Sequence, residues 1–172
     1  MKLVRLTAAT LSLSLFTLAV SAQSMTALTA YYGLKDALVA SDAGKAKTQA
    51  TTLSSALAKL EATKLSTADQ RALTTAKTKA AAISKTTEVD EQREAFELLS
   101  TSMIALTKAT KSAKHEARSG RSAGAVPAPT YVQFCPMAAG GKGASWLSDK
   151  REIRNPYYGD KMLKCGSVKE EL

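Results

Sequence analysis

Scarcity bounds this sequence before anything else does. In 172 residues there are two cysteines, one histidine, one tryptophan and four prolines, and aromatic side chains make up 5%. Cys135 and Cys165 form no C-x-x-C motif and have no spaced histidine partners, so neither a paired-knuckle zinc site nor a thioredoxin-like centre is written in the chain. With His115 as the only imidazole there is no Ser/His/Asp constellation, and no carboxylate pair stands apart from ordinary charged helix faces. The chain therefore reads as a protein that is not an enzyme. Gly140-Gly141-Lys142-Gly143 lacks the spacing of a phosphate-cradling loop and reads as a turn.

Long apolar runs are also scarce. Leu6 to Val20 is the one candidate; Lys2 and Arg5 precede it, and Val20-Ser21-Ala22 supplies a small-residue cleavage pattern. A run this short does not comfortably cross a hydrocarbon core about 30 Å thick. Residues 1–22 are read as a cleaved signal peptide, which makes the mature protein periplasmic or otherwise exported, with no stable membrane insertion. Without Lys2 and Arg5, 22 basic residues face 15 acidic ones. In an envelope compartment that excess meets polymers and lipid head groups before nucleic acid, and no nucleic-acid partner is expected.

Up to residue 118 the chain contains no proline, and beyond the leader glycine occurs there only as Gly33 and Gly44. Ala, Lys, Thr and Leu dominate, a composition that favours helices. The spacing of Ala27, Tyr31, Leu34 and Leu38 predicts a first helix from about Met25 to Val39. Ser41 or Asp42 caps a second, with Ala46, Ala50, Leu53, Leu57 and Leu60 on its inner face. Ser66 and Asp69 open a third, carrying Leu73, Ala76, Ala80 and Ile83. Thr87 and Asp90 repeat that arrangement before a fourth with Phe96, Leu99, Met103 and Leu106 inside, and Glu91, Arg93, Glu94 and Glu97 mostly on other faces. The lysines at 45, 47, 59, 64, 77, 79 and 85 read as solvated surface. These features predict a mainly α fold: an antiparallel up-and-down four-helix bundle over 23–116, a linker over 117–130, and a small irregular α+β cysteine-containing module over 131–172.

The module carries the distinctive chemistry. Tyr131 to Phe134 is a strand candidate leading into Cys135-Pro136-Met137. Trp146-Leu147 supplies an apolar centre, and Asn155-Pro156-Tyr157-Tyr158-Gly159 is a turn. Each cysteine lies within three positions of a methionine: Cys135 with Met137, and Met162 with Cys165. Two thiols and two thioethers form a soft donor set of the kind that selects Cu(I) or Ag(I) over hard cations. His115 and Trp146 are weaker candidates for the same site. The alternative is a Cys135–Cys165 disulfide, natural in an oxidising compartment and worth about 3–4 kcal/mol for a loop of this size. Both readings stay open on these residues.

The strings Tyr131-Val132-Gln133-Phe134-Cys135-Pro136-Met137, Gly143-Ala144-Ser145-Trp146-Leu147-Ser148 and Glu152-Ile153-Arg154-Asn155-Pro156-Tyr157-Tyr158-Gly159-Asp160-Lys161-Met162-Leu163-Lys164-Cys165-Gly166 resemble the end of a bacterial exported domain of unknown function. Upstream, Tyr31-Tyr32-Gly33-Leu34-Lys35-Asp36-Ala37-Leu38 and Arg93-Glu94-Ala95-Phe96, with Leu99-Ser100 and Met103, resemble its bundle, so the resemblance covers nearly all of the mature chain and implies that 131–172 packs as part of the same family domain. Such domains occur alone and fused to adaptors of CusB-like heavy-metal efflux systems. The resemblance implies a periplasmic copper- or silver-handling role, with an efflux adaptor or another periplasmic metal carrier as partner. It does not extend to the adaptor itself, since no lipoyl-like hairpin or long barrel region is present.

Overall fold

The computed structural model describes residues 25–118 and 129–172; the expected leader and most of the expected linker lie outside them. Four helices come first: α1 over residues 25–39, α2 over Ala43–Ala58, α3 over Thr67–Ile83 and α4 over Val89–Arg118. Short connections, one holding a 3-10 turn at Ala62–Lys64, fold them into the expected up-and-down bundle, with α3 packed against both α2 and α4. The inner faces follow the apolar spacing, since Tyr31, Leu34, Leu38, Leu53, Leu57, Leu73, Ile83, Phe96 and Leu99 are all buried.

Local chemistry sets two of the helix starts as the sequence implies. The Asp42 carboxylate accepts from the Lys45 amide at 2.8 Å, and the Ser66 hydroxyl accepts from the Asp69 amide at 3.2 Å. The start of α4 differs: the Thr86 hydroxyl, not that of Thr87, accepts from the Glu88 amide. Gln92 then reaches back, its side-chain amide donating to the carbonyls of Ala43 and Thr86, and so ties the α3–α4 connection to the first turn of α2.

The C-terminal residues form a three-stranded antiparallel sheet in the order β2-β1-β3, with β1 at Tyr131–Cys135, β2 at Ala144–Ser148 and β3 at Ser167–Glu171. Of these, only β1 was expected. The sheet is not an appendage. Leu147 in β2 donates its amide to the Tyr31 hydroxyl at 3.1 Å, and that hydroxyl lies 2.7 Å from Ser100 of α4. Tyr31 stacks on Phe96, Phe96 meets Tyr157, and Tyr157 meets Trp146 edge-on, with successive centroids 5.3, 5.8 and 5.9 Å apart. Bundle and module residues share one hydrophobic core.

Arg93 corrects the surface reading. It is buried, donating from Nε to the Pro156 carbonyl at 3.0 Å and from one terminal nitrogen to the Leu38 carbonyl and the Ser41 hydroxyl. The guanidinium fork therefore fastens the end of α1 to the Asn155–Gly159 turn, using acceptors that only the folded chain assembles. Lys35 is buried too, paired with Asp36 at 2.9 Å and Asp149 at 3.5 Å.

Two outcomes follow. Tyr31→Phe leaves the buried Leu147 amide without its acceptor and should cost about 1–3 kcal/mol. In urea titrations, far-ultraviolet circular dichroism and the fluorescence of Trp146 should still give coincident transitions, and separate midpoints would contradict a single core. Stability should also fall in alkali. Burial raises the pKa of Tyr31 and Tyr157 and pushes that of Tyr32 up to about 12. Unfolded tyrosines ionise near pH 10, so their contribution is complete below that pH and is lost as the pH rises through the folded values. Urea midpoints between pH 8 and 12 measure this, and each Tyr→Phe change should flatten the decline.

Candidate functional site

Backbone pairing brings the two cysteines together. Phe134 opposes Ser167 across β1 and β3, and continuing that register by one step sets Cys135 beside the Cys165–Gly166 turn. Their sulfurs lie 2.9 Å apart as free thiols. Cys135 is fully buried on the central strand opposite Ala144, whereas Cys165 is partly exposed in the turn between the 3-10 segment Gly159–Met162 and β3.

Three devices hold that turn. Asn155 is fully buried; its side-chain amide donates to the Cys165 carbonyl at 3.0 Å, while its side-chain oxygen accepts from the Tyr157 amide at 2.8 Å. The Asn155 backbone amide donates to the Leu163 carbonyl at 2.8 Å. Gly166, at φ +140°, lies so close to β1 that a Cβ there would sit 2.8 Å from the Phe134 carbonyl oxygen and 3.0 Å from the Trp146 ring. Only glycine fits this approach without displacement.

Both methionines border the pair. The Met137 amide donates towards the Cys165 sulfur, and the Cys165 amide donates to the Met162 carbonyl at 3.0 Å. Tyr158 donates its hydroxyl to the Met137 carbonyl. The side chains of Met137 and Met162 are 50% and 38% exposed, unusual for large apolar groups in this protein. The hydrogen bond with Cys135 raises the pKa of Cys165, with desolvation adding to it, so the paired thiol holds its proton beyond the usual thiol range.

Trp146 is fully buried, and its indole nitrogen finds no hydrogen-bond partner among the described residues. It packs behind the Cys165–Gly166 turn as part of the core. The side chain of His115 lies outside the described residues, although its backbone belongs to α4. Among the described residues no group of three or more His, Cys, Asp and Glu side chains gathers as a metal site, and no helix is long and apolar enough to cross a membrane. The site is thus two thiols in contact, with the main chains of Met137 and Met162 beside the second of them.

Sequence reasoning missed Asn155 as an anchor and Gln133 as a clamp. The buried Gln133 side chain donates to the carbonyls of Lys150, Arg151 and Glu152, which fixes the loop after β2. An apolar recess of about 140 Å³, walled by Leu28, Leu57, Leu60, Met103 and Leu106, opens at another part of the bundle.

A family model described as a protein of unknown function, DUF3347, matches residues 27–115. The match covers the bundle and stops short of the thiol pair. No curated protein and no solved structure matches the chain.

Asn155→Ala should leave the Cys165 carbonyl and the Tyr157 amide unpaired, at about 1–3 kcal/mol for each group that stays dry. Hydrogen exchange followed by mass spectrometry should show faster exchange across residues 155–166 than in α2 or α3. Equal protection throughout would mean that Asn155 does not hold the turn.

Proposed function

The chain belongs to the DUF3347 family of proteins of unknown function, and from that premise we propose that it is an exported bacterial protein that binds and passes on a soft metal ion, Cu(I) or Ag(I). The observation that carries this reading is the meeting of Cys135 and Cys165 with Met137 and Met162 exposed beside them. Thiolates supply affinity for a soft ion, and thioethers at a solvent-facing rim permit ligand exchange. In this reading Cys135 and Cys165 are the anchoring ligands, Met137 and Met162 guide the ion in and out, and Trp146 with Tyr157 closes the inner side against water. An efflux adaptor of the CusB-like type, or another periplasmic metal carrier, is the proposed partner, in keeping with the resemblance of the 131–166 strings.

A second reading rests on how near the two sulfurs lie. Metal–thiolate bonds are about 2.3 Å long, so two sulfurs sharing an ion stand farther apart than the 2.9 Å seen here. Loading therefore requires the Cys165 turn to give way while Cys135 stays on its strand. A protein that remains oxidised would instead be a disulfide-stapled interaction module with the bundle as its docking surface.

Mass spectrometry of the intact mature protein under non-denaturing conditions separates the two. Reduced protein titrated anaerobically with Cu(I) should retain one ion, oxidised protein none, and the Cys135→Ala, Cys165→Ala double variant none. The Met137→Leu, Met162→Leu variant should bind about 10-fold or more weakly, a loss of about 1.4 kcal/mol. No copper on the reduced native protein, or equal retention by the double-cysteine variant, would reject metal handling.

A further inference from the structure

We propose that Cys165 is the one point at which thiol–disulfide exchange reaches this protein, so that a disulfide-bearing partner forms its mixed disulfide with Cys165 and Cys135 acts only as the internal resolving thiol. The inference stands on the placement of the two sulfurs and does not depend on metal binding. Cys135 has no exposed surface: it lies on the central strand between β2 and β3, opposite Ala144. Cys165 is partly exposed in a turn, and its sulfur faces Cys135 at 2.9 Å. Exchange requires the attacking and attacked sulfurs to touch. A partner can therefore meet Cys165 and is kept from Cys135 by the sheet.

The steps balance as two successive displacements. Once it has lost its proton, which the hydrogen bond with Cys135 disfavours, Cys165 attacks one sulfur of R–S–S–R, forms Cys165–S–S–R and expels RS⁻, which takes up a proton. The Cys135 thiolate then attacks the Cys165 sulfur, forms the Cys135–Cys165 bond and expels the second RS⁻. The protein dithiol is oxidised by two electrons, and the disulfide is reduced to two thiols. Reopening runs in reverse: a dithiol carrier attacks Cys165, Cys135 leaves as thiolate, and the carrier's second thiol resolves the mixed disulfide. The chemical class of the partner is thus a small disulfide or a protein with a reactive disulfide whose sulfur can reach the partly exposed Cys165. Asn155 matters here as well, because its bond to the Cys165 carbonyl holds the sulfur in its place over Cys135.

The test uses the whole reduced protein. Limiting iodoacetamide followed by peptide mapping should label Cys165 at least about 100-fold faster than Cys135, and the difference should vanish in denaturant. With oxidised glutathione, Cys135→Ser should accumulate one glutathione on Cys165, whereas Cys165→Ser should accumulate none until unfolded. Labelling of both cysteines at rates within a few-fold in the folded protein, or glutathione on Cys135, would overturn the proposal. If Cys135→Ser does not fold, the wild-type labelling ratio decides the matter. A parallel Cu(I) titration keeps the readings apart: ordered labelling without copper binding rejects the metal reading alone, and copper binding with unordered labelling rejects this one alone.

Discussion

The hydroxyl of Tyr31 is the contact on which the rest of the molecule turns. It accepts from the Leu147 amide and shares a hydrogen bond with Ser100, so one oxygen joins α1, α4 and β2. Its ring begins the aromatic series that runs through Phe96 and Tyr157 to Trp146. The bundle needs such a series. Much of its inner face is alanine, including Ala27, Ala30, Ala37, Ala46, Ala50, Ala56, Ala76 and Ala80, and each alanine removes little apolar surface from water. A buried aromatic side chain removes roughly 150–250 Å². The small module thus supplies two of the largest core groups, Trp146 and Tyr157, to a bundle that is short of them, and the bundle in turn covers the inner face of the sheet.

How far the sequence could be read depends on whether a signal was local. The helix faces and the Asp42 and Ser66 caps were legible because apolar spacing and capping act within a turn or two of the chain. Arg93 was not. Set among Glu91, Glu94 and Glu97 it reads as surface, and its burial depends on acceptors at Leu38, Ser41 and Pro156, between 52 and 63 residues away. Lys35, Gln92 and Gln133 were hidden for the same reason. Ser-Val-Lys-Glu-Glu carries no convincing strand pattern, and β3 forms because β1 offers it an edge.

The thiol corner was half legible. That the two cysteines would meet was expected from their even number and from the oxidising compartment the leader-like run suggested, and the methionine neighbours were plain in the string. The asymmetry between the two sulfurs was not, because it comes from strand order: the first cysteine lies on the middle strand and the second in a turn beside it. Asn155 carried a visible signal in the Asn-Pro pair, but that signal announced a turn and gave no hint of what the turn would hold.

The reach of the Leu147–Tyr31 bond has a kinetic meaning. It spans 116 residues, whereas each helix closes on neighbours three or four positions away. Helices of this composition form within about a microsecond, but closing so long a span carries an entropy cost that must be met before the sheet can dock. The two cysteines can therefore remain apart in a chain that already looks helical. Their own span is only 30 residues, and the sheet that carries Cys135 docks on the bundle as the longer span closes.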